Sequence, residues 1–319
     1  MTNNIWNKLP KPFFVLAPME ALTDTVFRHV ITKAGRPDIY FTEFANATGW
    51  THAGEKAIAG RLIKTDDESP IIAQIWGGEA RDMEVLAKYC ADLGYDGIDI
   101  NMGCPSKRAV KSGGSALIRK PSVAIEAIKS AKLAGLPVSV KTRLGYTDIN
   151  EWKDWLKTLL EQDISALTIH LRTKKEMSKV PAHHELIPDI KALRDEIAPD
   201  TLLIINGDII DKKHGLELVD KYGVDGIMIG RGVFANPFCF SDDNINNLSD
   251  DDKKSKLLDL LNYHLDIFDK YQKQMNRPFE TLKRFFKIYI RDFNGAGELR
   301  DKMMHAHSTD EIRDLIRDL

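Results

Sequence analysis

A thiol, an ammonium, an imidazole and a guanidinium each follow a short apolar run in this chain, where side chains of those types can move protons or hold anions. Cys104 lies in Asn101-Met102-Gly103-Cys104-Pro105, directly after Gly97-Ile98-Asp99-Ile100 and ahead of the glycine-rich Lys111-Ser112-Gly113-Gly114-Ser115. An ordinary thiol, with a pKa of ~8.5, is mostly protonated at neutral pH and can serve as an acid. Lys141 follows Val138-Ser139-Val140, His170 follows Leu167-Thr168-Ile169, and Gln74 interrupts the run from Ile71 to Ile75. Pro18-Met19, Glu43, Asn206-Gly207-Asp208 and Gly230-Arg231 close further runs. Each residue alone fits a turn or a packing position, since chain ends of strands meet water. A whole ring of them marks a site. Arginine offers planar, paired donors, so Gly230-Arg231 is a candidate phosphate clamp, and a lysine in the same ring could stabilise negative charge on a reduced flavin.

The elements that must position this ring are legible as eight apolar runs of strand length. They begin near Phe13, Ile39, Ile71, Gly97, Val138, Ala166, Leu202 and Ile227, with amphipathic stretches such as Glu79–Leu93, Ser122–Ala134 and Glu185–Ile197 between them. Apolar strands alternating with helices imply parallel strands buried on both faces. Eight such units predict an α/β fold, a (β/α)8 TIM barrel whose active site lies at the C-terminal ends of the strands. An open doubly wound sheet competes, but the first run is not followed by the Gly-x-Gly-x-x-Gly of dinucleotide-binding folds. After Pro237 the pattern changes. Ser241–Lys254 reads as a polar linker, and Lys256–Tyr271, Phe279–Phe293 and Thr309–Leu319 read as helices, with Leu282, Phe286 and Tyr289 on one face. This divides the chain into a barrel over residues 1–245 and a small helical bundle over 246–319.

Composition excludes several classes. The formal charge is −2 over 319 residues, so any polyanion must meet a local patch rather than the molecule as a whole. Three scattered cysteines (Cys90, Cys104, Cys239) form neither a disulfide framework nor a paired metal motif, and no metal is expected. No apolar run approaches the ~20 residues of a membrane span, and the N-terminus has no signal-peptide pattern. A reducing, cytoplasmic setting is expected.

The quoted residues resemble the tRNA-dihydrouridine synthases in order along the barrel. Ala17-Pro18-Met19 with Thr23-Asp24 and Phe27-Arg28 is similar to that family's opening, and Asn101-Met102-Gly103-Cys104-Pro105 to its Asn-x-Gly-Cys-Pro loop. Gly114-Ser115-Ala116-Leu117, Lys141-Thr142-Arg143-Leu144-Gly145, Asn206-Gly207-Asp208-Ile209 and Asp225 to Gly232 follow in register. Two places depart: Glu20-Ala21-Leu22 stands where the family usually has glycine and valine, and His170-Leu171-Arg172-Thr173 has leucine for glycine.

The resemblance implies reduction of the C5–C6 double bond of uridines in tRNA, with FMN as cofactor and NADPH as electron donor. Hydride would pass from the flavin to C6, and Cys104 would protonate C5. Ala17, Pro18, Met19, Gln74, Lys141, His170, Asn206, Gly207, Asp208, Gly230 and Arg231 would hold FMN. Asn101, Arg143 and Arg172 would contact the substrate nucleotide. The helical segment would bind tRNA through Lys283, Arg284 and Lys287, part of a cluster from 270 to 291 that holds seven basic residues and one acid, Glu280. Two other readings stay open at this point: a flavin enzyme resembling the dihydroorotate dehydrogenases and acting on a small pyrimidine, and a non-catalytic tRNA-binding protein on an inherited barrel.

Overall fold

The computed structural model describes residues 4–58, 60–242, 245–317 and 319. Its strands form where β-branched and aromatic residues run together and are buried on both faces. They are β1 (Phe13–Leu16), β2 (Tyr40–Phe41), β3 (Ala45–Asn46), β4 (Ile71–Trp76), β5 (Gly97–Asn101), β6 (Val138–Arg143), β7 (Ala166–His170), β8 (Leu202–Asn206) and β9 (Gly226–Ile229). All pairings are parallel, in the order β1-β9-β8-β7-β6-β5-β4-β2, and a parallel bridge from Val15 to Ile39 brings the first strand back beside the second. The predicted eight-strand barrel is therefore present and nearly closed. Its second strand is split: β2 pairs with Ile71 and Ile72, β3 pairs with Ile75 and Trp76, and Thr42-Glu43-Phe44 breaks the ladder between them. That break is where Glu43 turns into the structure.

The predicted barrel helices appear at Ala80–Asp92, Pro121–Lys132 and Ile187–Ile197, within a few residues of the sequence reading. They seal the outer face of the sheet. Inside, the base of the barrel is filled by Phe13, Val15, Phe41, Ile72, Ile204 and Met228 and is plugged by Trp6. The upper interior turns polar, and that change of character marks the functional end.

A 26-residue helix, Asp250–Met275, begins the C-terminal region. Ser249 caps it, accepting from the Asp252 N–H, and three aspartates occupy its first turn, where negative charge suits the helix dipole. Most of the segment read as a linker is thus helix or cap; residues 243 and 244 of it lie outside the described residues. The predicted helix over Phe279–Phe293 is instead a 3-10 stretch, Phe279–Phe285, with one α-turn, Phe286–Tyr289, and a further helix, Ala296–His305, follows. Gly295, at φ +83°, lets the chain turn into that helix. Leu282, Phe286 and Tyr289 are buried together as expected. Phe27 of the first barrel helix, Thr25–Ala34, stacks on Phe285 at 4.8 Å, and the Tyr289 hydroxyl meets His264 Nδ1 at 2.7 Å. The core under these helices is continuous with the barrel's outer layer.

Candidate active site

Strand alternation sends Gln74, Asp99, Ser139, Lys141, Thr168 and Asn206 into the barrel interior, where a polar group needs a partner. Asp99 supplies the anchor. It accepts from Gln74 Nε2 and Ser139 Oγ, both at 2.7 Å, and Asn101 Nδ2 donates to Gln74 Oε1 at 3.0 Å. Burial pushes the Asp99 carboxyl up to about 6, against those hydrogen bonds and the charge of Lys141. Sequence reasoning passed over Asp99 although a carboxylate in the middle of an apolar strand was the available signal.

The same Asn101 shapes the thiol loop. Its Oδ1 accepts from the Gly103 and Cys104 N–H groups at 3.1 and 2.9 Å. The Cys104 carbonyl accepts from the Ser115 N–H at 3.1 Å. Gly114, at φ +56°, passes so close that a Cβ there would stand 2.9 Å from the Cys104 oxygen. The glycine-rich stretch is therefore the loop's back wall. Cys104 remains partly exposed and its Sγ donates to Ser106 Oγ at 3.4 Å, whereas Cys90 and Cys239 are buried and burial pushes both thiols up, Cys90 to about 12. Cys104 faces a cavity of about 110 Å³ shared with Glu20, Arg61, Trp76 and Arg108.

A second cavity of about 530 Å³ opens at the ends of β1 and β6–β9. Ala17, Pro18, Met19, Lys141, His170, Asn206, Gly207, Asp208, Gly230 and Arg231 line it, which is every residue expected to hold the cofactor except Gln74. Gln74 is fully buried and supports Asn101 from below. Lys141 Nζ lies 3.3 Å from Asn206 Oδ1; burial and then the charge of Arg143 push its ammonium down to about 8. His170 is held well below its usual range by burial and by Arg143, Lys141, Arg172 and Arg231, so it is neutral and its Nδ1 can accept from Arg143 Nη1 at 3.4 Å. Burial would raise the Asp208 carboxyl, but the Ala182 N–H, Arg172 and Arg231 hold it down.

The residues expected to touch substrate fall into different places. Arg143 lies between the two cavities: Nε donates to the Gly103 carbonyl at 2.8 Å and Nη1 to the carbonyls of Thr173 and Met177. Burial, with Arg172 and Arg231 adding to it, pushes Arg143 down to about 10. Arg172 is 2 % exposed, bonded to Asp208 and the Val180 carbonyl, so it stands beneath the mouth rather than on it. Its Nη1 has no partner among the described residues and lies 3.8 Å from the point a Cβ on Gly207 would occupy. In the C-terminal cluster, Lys283 donates to the Met304 carbonyl and Arg284 to the Ala21 carbonyl, while Lys287 is exposed.

The larger cavity fits a flavin. Its volume is within the ~300–1,000 Å³ of small-molecule sites. Lys141, Arg143 and Arg231, glycines at 207, 230 and 232 and the unpartnered Arg172 Nη1 form a cationic cradle open to a phosphate-bearing group.

The dihydrouridine synthase (Dus) family model matches residues 15–318. The chain belongs to this family. It is a flavin oxidoreductase that draws on a nicotinamide donor, and the match runs through the C-terminal helices. The probable tRNA-dihydrouridine synthase 2 of Bacillus subtilis (strain 168) is 57 % identical over 320 residues, covering 100 % of this chain and 97 % of the relative. Probable tRNA-dihydrouridine synthases of Staphylococcus epidermidis and Staphylococcus aureus (strain COL) are each 55 % identical over 318 residues, covering 99 % of this chain and 96 % and 95 % of theirs. Among solved structures, a 2-naphthoyl-CoA reductase complex shares the fold with a TM-score of 0.57 at 11 % identity, covering 75 % of this chain and 52 % of that one. The family match sets aside the non-catalytic reading. No helix among the described residues is long and apolar enough to cross a membrane.

Proposed function

We propose that this chain reduces uridine in tRNA to 5,6-dihydrouridine, with FMN in the larger cavity, NADPH as electron donor and Cys104 as the proton donor to C5. Bound there, FMN supplies the hydride that adds to C6 of the base. The chain's own residues do the rest. Lys141, Arg143, Arg172 and Arg231 offset the negative charge of the phosphate and of the reduced ring system. Neutral His170 can accept a hydrogen bond from Arg143 and, carrying no extra proton, competes little with the thiol as an acid. Asn101 fixes Cys104 at the boundary between the cavities, and Ser106 orients its S–H. The uracil must leave its stack to reach that boundary, so the substrate is a loop or flipped nucleotide. The division of labour is a catalytic barrel over 1–245 and an RNA-docking helical region over 246–319.

One observation carries this reading: the partly exposed thiol sits in the loop directly after β5, in a cavity of its own, beside a larger cationic cavity fit for flavin. The names of the relatives support tRNA as the substrate. Cys104→Ala should keep its FMN absorbance and still oxidise NADPH, while dihydrouridine formation on tRNA lacking it falls by about 10²–10⁴, the usual worth of a positioned acid. Wild-type product formation by that variant would refute the proton-donor role.

A further inference from the structure

The turn after β1 is held from a distance. Ala21 sits at φ +58°, the left-handed region that a residue with a Cβ disfavours. Both of its backbone polar groups are taken by side chains from elsewhere. Its N–H donates to Glu43 Oε1, from the break in the second barrel strand, and its carbonyl accepts from Arg284 Nη1 at 2.7 Å. Glu43 is fully buried, and its other oxygen accepts from Arg277 Nη2 at 2.7 Å. Burial pushes Glu43 up to about 7, with Asp24 and Glu20 adding to the rise, against Arg277 first and then Arg61, so its charge leans on those two arginines. Arg277 and Arg284 both come from the C-terminal region. The turn they hold walls both cavities: Met19 lines the larger one, and Glu20, paired with Arg61, lines the one that contains Cys104.

We propose that Arg277 and Arg284 are positioning residues for the reduction of RNA: seated on Glu43 and on the Ala21 carbonyl, they strap the RNA-docking helices to the turn beside Cys104. Given the tRNA-reducing role proposed above, the strap fixes the distance and angle between docked RNA and the thiol. Two arginines of the basic cluster are then committed to the protein itself. RNA phosphates are left to exposed lysines of the cluster, Lys270, Lys273 and Lys287. Ala21, unlike glycine, is strained in this conformation, and the strap adds to the turn's own bonds, from the Leu22 and Thr23 N–H groups to the Met19 carbonyl, in holding it, which makes the mouth of the barrel sensitive to the seating of the helices.

The test uses the full-length FMN-loaded protein carrying Arg277→Gln, and Arg284→Gln as a milder variant. Flavin content should be retained. At saturating tRNA, kcat should fall about tenfold in Arg277→Gln, within the range for a displaced reacting group, and less in Arg284→Gln. KM for tRNA should change less than about twofold, because the docking lysines are intact. Hydrogen exchange should show residues 19–24 losing protection. Ala21→Gly, added to Arg277→Gln, should restore most of kcat, since glycine adopts the turn without the strap. Wild-type kcat in Arg277→Gln, or a loss confined to KM that Ala21→Gly does not rescue, would overturn the proposal. A wild-type protein that forms no dihydrouridine would defeat the tRNA-reducing role instead. The strap would then be decided by exchange alone: lost protection at 19–24 in Arg277→Gln supports it, and unchanged protection overturns it.

Discussion

The two cavities at the mouth of the barrel are built in different ways. The larger is built on Lys141, Arg143, His170 and Asn206, which end strands β6–β8 and are placed by ladders of backbone hydrogen bonds, with the loops that follow β1, β7, β8 and β9 completing its wall. The smaller surrounds Cys104 with groups from the β1 turn, the residues just before and within β3, the end of β4 and the Cys104 loop, held by side-chain pairs across long sequence separations. A site made of strand ends inherits the rigidity of the sheet. A site made of loops depends on what pins the loops, here Asn101, Gly114, Glu43 and two arginines of the C-terminal region. The expected consequence is that cofactor binding and RNA reduction can be damaged separately.

The sharpest way to separate them is Gly114→Ala. A Cβ at φ +56° and 2.9 Å from the Cys104 carbonyl must displace the thiol loop. Dihydrouridine formation should fall about a hundredfold, the cost of a misplaced reacting group, while the flavin absorbance of the purified protein stays at the wild-type level. Loss of flavin in that variant would show the cavities to be one unit. Lys141→Met works from the other side. Removing the cation beside Asn206 should weaken FMN binding roughly tenfold, as expected for a charge-assisted contact, measurable by flavin fluorescence on titration; unchanged affinity would remove Lys141 from the cradle.

The smallest effect concerns the interior beneath both. Because Asp99 has a folded pKa of about 6, above its value in the unfolded chain, the folded state binds the extra proton between about pH 4 and 6. Its contribution to stability is full below that window and is lost as pH rises through it. Asp99→Asn should therefore flatten the decline of thermal stability between pH 4 and 6 by an amount on the order of 2 kcal/mol. A pH profile unchanged from wild type would mean that Asp99 is not the titrating group.

The same contrast explains what the sequence made legible. Lys141, His170, Asn206 and Arg231 could be placed because each follows an apolar run, and a parallel barrel turns the ends of such runs toward one mouth. The thiol loop was readable for the same reason. Nothing in periodicity announces that Glu43 is paired with Arg277, 234 residues away, or that Arg284 reaches the Ala21 carbonyl. Arg172 illustrates the limit in one residue. As an arginine after a strand-ending histidine it reads as a substrate contact, but only the fold shows that it is buried on Asp208 under the mouth. In the C-terminal region the buried face of Leu282, Phe286 and Tyr289 was legible. The 3-10 geometry of that stretch, which packs on Phe27 and His264 through Phe285, was not.

The central claim is that Cys104 gives its proton to the base while the larger cavity alone handles the electrons. It is tested most directly by a single turnover. Wild-type and Cys104→Ala proteins, loaded with FMN and reduced with NADPH without oxygen, are mixed with tRNA that lacks dihydrouridine, and flavin absorbance and product are followed together. Wild-type flavin should reoxidise as dihydrouridine appears, whereas the variant should stay reduced and form product at least about a hundredfold more slowly. Reoxidation of the variant at the wild-type rate, with dihydrouridine formed, would contradict the account.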